Sequence, residues 1–256
     1  GVPRVNRDGP LECPCRLLQG ASLHLRGRRD EAREMLTDGA RRGAVSAPNV
    51  QGLCLAQLAL MSIEEDDWHR ADQLISQARK QINQSGLIDY PMMALAMAIS
   101  AGVRARAGLP EKAAEDLAIA VDLLGQLNDF APWYEMETRL GLARAAARLG
   151  DHELAVGMFT EARRIAALIP DATVVDGWLS DTADIVESAS ASKSGTLTPA
   201  ELRILQFLPT HLSFPQIAER SFVSTNTVKT HARNVYRKLD AASRQEAVEK
   251  ARSAGM

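Results

Sequence analysis

Four times the chain breaks at a Gly or Asp and resumes five residues later with an alanine: Gly27 to Ala32, Asp66 to Ala71, Gly108 to Ala113 and Gly150 to Ala155. Each alanine is followed four residues on by Leu36, Ile75, Leu117 or Phe159, and seven on by Gly39, Ala78, Ala120 or Ala162. The alanines lie 39, 42 and 42 residues apart. A period near forty, with no alternating Val/Ile/Thr runs to suggest strands, predicts stacked helical hairpins. In such a stack a small residue on one helix lets its neighbour approach closely. Helices before the breaks are expected near 11–26, 50–64, 90–107 and 133–149, with a capping helix near 171–188.

This pattern resembles a tetratricopeptide-type solenoid, the turn Gly and the following Ala being the matching positions. The period exceeds the roughly thirty-four residues of that repeat. A longer-period helical solenoid of the MalT-like kind fits better.

The tail has a different pattern. Thr198-Pro199-Ala200-Glu201, Ser213-Phe214-Pro215-Gln216 and Ser243-Arg244-Gln245-Glu246 are capping boxes, in which a hydroxyl and a Glu or Gln three residues on satisfy the first backbone donors of a helix. With Ser224 as a further cap they predict helices near 199–208, 214–220, 224–238 and 243–254. In the third of these, Val228, Ala232, Val235, Tyr236 and Leu239 share one face, and Asn226, Lys229, Thr230, Arg233 and Arg237 the opposite one. Lys and Arg can donate to guanine edges, Asn can pair with adenine, and a Thr methyl can meet a thymine methyl. Two helices joined by a short break, the second bearing such a face, form a helix-turn-helix.

The stretches Leu197-Thr198-Pro199-Ala200-Glu201, Ile217-Ala218, Val223-Ser224, Thr227-Val228-Lys229-Thr230-His231, Tyr236-Arg237-Lys238-Leu239 and Arg244 through Ala247-Val248 resemble the LuxR-type (NarL/FixJ-like) helix-turn-helix domain over residues 196–256. The resemblance implies double-stranded DNA as partner and regulation of transcription. It implies Lys229, Thr230 and Arg233 over base edges, and Ser224, Asn226, Thr227, His231 and Arg237 nearer phosphates. It also implies a homodimer on DNA through the last helix, where Ala247, Val248 and Ala251 are the expected contact.

Charge divides accordingly. From residue 196 onward nine bases face five acids, net +4, which leaves 21 bases and 27 acids, net −6, in residues 1–195. A basic module on an acidic body is the electrostatic footprint of a phosphate-binding surface. Between the two lies Ser188-Ala-Ser-Ala-Ser-Lys-Ser-Gly195, expected as a flexible linker.

The fold expected is therefore all-α: a helical-repeat solenoid over 1–187, a Ser-rich linker over 188–195 and the helix-turn-helix domain over 196–256. No phosphate loop and no Gly-x-Ser-x-Gly elbow occurs, and the five histidines are scattered. No enzyme activity, cofactor or metal is expected. Cys13-Pro14-Cys15 lacks a second Cys/His pair at ligand spacing and reads as two reduced thiols. Met92, Met93 and Met97 read as core, and Glu64-Glu65-Asp66-Asp67 as a solvated turn. With no long apolar run and no signal peptide pattern, the expected location is cytosolic, with no membrane partner. The solenoid is expected to receive a protein or small-molecule effector. Because MalT-like regulators carry an ATPase before the solenoid and this chain opens with Gly1, it is expected to be the C-terminal part of a larger regulator. A scaffold that binds no DNA is the alternative.

Overall fold

The computed structural model describes residues 12–127, 130–169, 171–192, 197, 199–221, 223 and 225–254. Among these, all regular structure is helical, as expected. The chain divides after Val175 into two compact units.

The first unit holds α1 (Glu12–Leu25), α2 (Arg29–Ser46), α3 (Pro48–Glu64), α4 (Trp68–Gln84), α5 (Ala94–Arg106), α6 (Pro110–Gly125), α7 (Pro132–Leu149) and α8 (His152–Ala166). They pack as successive hairpins, α1 with α2 through α7 with α8, which is compatible with the expected solenoid. The residues that open the four breaks, Gly27, Asp66, Gly108 and Gly150, all have positive φ, between 62° and 80°. This left-handed residue closes each preceding helix. The N–H after it donates five residues back, Arg28 to Leu23, Asp67 to Ser62, Leu109 to Arg104 and Asp151 to Ala146, at 2.9–3.0 Å. The repeat in the sequence is thus a repeated helix stop. The alanines that follow, Ala32, Ala71, Ala113 and Ala155, are fully buried. Of the small residues three positions beyond the apolar ones, Gly39 shows the reason for its size. A Cβ there would stand 2.8 Å from the Cys54 sulfur and 3.2 Å from the Arg16 Cβ.

Helix α3 is buried nearly all round, and its interior contacts include a polar cluster. His24 Nε2 lies 3.0 Å from Glu64, and the Gln57 amide donates to the Glu137 carboxylate on α7. Burial pushes the Glu137 carboxyl up to about 7, although His24 and Gln57 favour its charged form. Burial pulls the His24 imidazole down, but its hydrogen bond to Glu64 and the charges of Glu64 and Glu137 outweigh this, leaving it above its ordinary value. Both groups therefore hold a proton more tightly folded than unfolded. Their contribution is fully present below the unfolded values and fades as pH rises through the folded ones. The first unit should lose stability as pH rises from about 4.5 through about 7, the range over which Glu137 gives up its proton, and Glu137→Gln should remove most of that slope. Calorimetric unfolding of the chain across that range checks this; an unchanged slope in Glu137→Gln would exclude the carboxyl as its source.

The second unit begins with α9 (Val175–Ser192), where the expected linker should have started at 188. The Ser-rich segment is helical through Ser192, and residues 193–195 lie outside the described ones. The helix is anchored by Val175, Trp178, Thr182 and Val186, all buried at helical spacing, and Ser and Ala continue such a helix at modest cost. A composition that suits a linker is here the last turn of an anchored helix. The four helices of the tail follow: α10 (Pro199–Phe207), α11 (Phe214–Ser221), α12 (Thr225–Lys238) and α13 (Arg244–Ser253).

Candidate nucleic-acid interface

The tail's core explains how α12 is held. Ile204, Leu205 and Leu208 of α10 and its end, Ile217 and Ala218 of α11, Val228, Ala232 and Val235 of α12, and Ala247 and Ala251 of α13 form one buried cluster. The caps place the helices around it. Gln216 of α11 accepts from the Ser213 backbone at 2.9 Å. The Ser243 hydroxyl accepts from the Glu246 N–H at 3.2 Å, while the Glu246 carboxylate reaches back to the Ala242 N–H at 2.8 Å. That backbone bond, then Lys250, holds the Glu246 carboxyl below its usual range. The first expected box rests on Thr198, outside the described residues.

At 3.6 residues per turn the side chains of α12 sort into three stripes. Val228, Ala232 and Val235 face the core. Lys229, Thr230, Arg233 and Arg237 are exposed together, and this is the face that the sequence assigns to DNA. Between these lies a polar flank of Thr227, His231 and Lys238. The Lys238 ammonium turns inward to the Glu201 carboxylate of α10 at 2.7 Å, both groups buried, and so belongs to the domain's packing. Ser224 lies outside the described residues. Asn226 stands in the first turn of α12.

Two of the residues expected near phosphates are engaged elsewhere. Thr227 is 7 % exposed and donates through Oγ1 to Asp181 Oδ1 at 2.6 Å. His231 is 2 % exposed, with Nε2 3.0 Å from Asp184 Oδ2. Both carboxylates belong to α9.

The expected pairing surface needs correction. Ala247 and Ala251 point into the domain's own core, and Val248 is half-buried against it. A short helix whose apolar residues are two Ala and one Val carries too little apolar area to tell an inner face from an outer one by sequence. The buried alanines are what let α13 lie close against α12, and the stripe left open runs Gln245, Glu249 and Arg252.

A further residue of consequence is Arg244, the first of α13. The Arg244 guanidinium donates to the carbonyls of Leu208, Leu212, Phe207 and Thr210, at 2.9, 2.9, 3.2 and 2.8 Å, and so closes the end of α10 and its turn into α11.

Three α-helices packed on a common core, the third presenting a basic exposed face, define a helix-turn-helix domain. Residues 195–251 match the model of the family described as bacterial regulatory proteins, luxR family, and the C-terminal domain of this chain is a LuxR-family helix-turn-helix. AlkS of Pseudomonas putida, a helix-turn-helix-type transcriptional regulator, is 27% identical over 221 residues, which is 84% of this chain and 22% of AlkS. MalT of Yersinia pestis is 42% identical over 59 residues, 23% of this chain and 6% of MalT. A helix-turn-helix-type regulator of Mycobacterium tuberculosis is 44% identical over 61 residues, 24% of this chain and 7% of its own length. The chain thus spans at most 22% of the length of these relatives. No solved structure matches it. Among the described residues no helix is long and apolar enough to cross a membrane.

Proposed function

We propose that this chain binds double-stranded DNA in a sequence-selective way and regulates transcription, with α12 in the major groove. The observation that carries this is the exposed face of Lys229, Thr230, Arg233 and Arg237, held outward by a core on the opposite side of the same helix. Lys229, Thr230 and Arg233 read base edges; Arg237, Asn226 and Ser224 approach phosphates. Two copies bind inverted half-sites about one helical turn, roughly 34 Å, apart, and meet through the open stripe of α13. The first unit carries the response to an effector, a protein or a small molecule.

The test is selection of a binding sequence by the chain, followed by titration at fixed salt. Lys229→Ala and Arg233→Ala should each lose about 1–3 kcal/mol on the selected site and relax base preference there. Arg237→Ala should weaken all duplexes alike and lower the salt slope by about one. If both Lys229→Ala and Arg233→Ala bind the selected site as tightly as the parent chain, α12 is not the reading helix.

A further inference from the structure

The flank of α12 that meets α9 is the flank that a phosphate backbone would meet. Along α9 stand Asp176, Asp181, Asp184 and Glu187 with no basic residue; along α12 stand Lys229, Arg233, Arg237 and Lys238 with no acidic one. The two helices therefore attract each other by charge, and the contacts between them are specific. Asp181 and Asp184, three residues apart on α9, take the Thr227 hydroxyl and the His231 imidazole, four apart on α12. Such spacings put each pair on one helix face, so the helices are joined at two successive turns. Each carboxylate oxygen sits at 2.6 or 3.0 Å from its donor, the distance at which a phosphate oxygen would accept from the same hydroxyl or ring N–H. A hydroxyl and an imidazole so bound and so buried cannot also contact a phosphate.

We propose that α9 is an autoinhibitory clamp in which Asp181 and Asp184 stand in for two backbone phosphates, so that DNA must displace α9 from the flank of α12 before the domain can seat. The proposal rests on the DNA-binding reading of α12. It gives the domain two states: closed, with α9 on α12, and open, with Thr227 and His231 free to take phosphates. The apparent affinity for any duplex is the affinity of the open state reduced by the fraction of molecules that are open. Because the carboxylates compete for phosphate positions and not for bases, the clamp weakens selected and unrelated duplexes equally. It leaves the choice of sequence to Lys229, Thr230 and Arg233. A signal that pulls on α9 would then change occupancy without changing the preferred site.

The test compares the whole chain with its Asp181→Asn/Asp184→Asn variant, which keeps side-chain volume and removes both charges. Affinity is measured for the selected duplex and for a scrambled duplex of equal length. Both should tighten, by about tenfold, with their ratio unchanged. Unchanged or weakened binding by a variant that melts at the parent temperature overturns the clamp while leaving the DNA reading in place. If instead neither chain binds any duplex, the reading fails and the clamp with it. Hydrogen exchange on the parent chain gives a measurement that does not depend on the variant's folding. On addition of the selected duplex the amides of α9 should lose protection while those of α12 gain it. Protection of α9 that holds or rises in the complex would show a structural brace, and the proposal would be wrong.

Discussion

Arg244→Ala is expected to lower the melting temperature of the helix-turn-helix domain by roughly 10–20 °C. Four backbone carbonyls at the end of α10 and in the following turn depend on one guanidinium. Hydrogen bonds to a charged group contribute about 1.5–3 kcal/mol each, but this turn is partly open to water, which can replace some of them. A net loss of about 3 kcal/mol is the reasonable figure. A domain of this size has only about 5 kcal/mol in hand, so the loss is most of its stability. Arg244→Lys should recover little, because an ammonium cannot reproduce the planar fork that spans these carbonyls. Arg244 does not lie on the exposed face of α12. DNA affinity should therefore fall only with the unfolded fraction and return on cooling, whereas Lys229→Ala should weaken binding at every temperature without shifting the melt. Circular dichroism melts of both variants, paired with titrations at two temperatures, separate these outcomes. A parent-like melt for Arg244→Ala would mean that water serves the turn equally well.

The division between what the sequence discloses and what it does not follows from the range of the interactions. Breaks at Gly27, Asp66, Gly108 and Gly150 are legible because a helix stop is local: a left-handed residue and two hydrogen bonds within six residues. Asp66 fills a Gly position only because Asp tolerates that conformation better than most residues, and the alignment of the repeats reveals it. The three stripes of α12 are legible in part for the same reason. Helical spacing separates the core face from the exposed one, but the flank between them has no periodic signature. Whether Thr227 and His231 meet solvent, phosphate or protein depends on Asp181 and Asp184, some 46 residues away along the chain. Nothing in local pattern encodes that contact. The only available hint was the run of acids without bases in 175–192, which a boundary drawn at the Ser-rich segment assigned to the body. Arg244 was hidden in the same way, since its partners lie 32 to 37 residues before it. Ala247 and Ala251 are illegible for a different reason: alanine fits a tight interior and a bare surface equally well, and only packing puts them in the core.

Removal of Asp116 should have the largest effect on the first unit. Its carboxylate, on α6, is 1 % exposed. It receives the Arg79 guanidinium of α4 through one oxygen, and the Arg104 guanidinium and Ser100 hydroxyl of α5 through the other, at 2.9 and 2.6 Å. One acid thus ties its own hairpin to the helix before it. Burial already holds Arg79 below its ordinary value despite the pull of Asp116, and Arg104 adds repulsion. Asp116→Ala leaves two cations facing each other around a void with no anion between them. Breaking a buried pair in this way costs about 3–5 kcal/mol, enough to lower the melting temperature of a unit this size by roughly 10 °C. Asp116→Asn keeps the volume and one acceptor oxygen but not the charge, and should fall between the parent and Asp116→Ala. Repeat arrays derive their cooperativity from contacts between neighbouring repeats. Loss of a contact that bridges α4, α5 and α6 should therefore lower the midpoint of the first unit's unfolding and also broaden it. Arg41→Ala, which removes an exposed partner of Asp38 at the surface, should do neither. Urea unfolding followed by circular dichroism reads both quantities, and an Asp116→Ala transition as sharp and as late as that of Arg41→Ala would show that the cluster does not couple the hairpins.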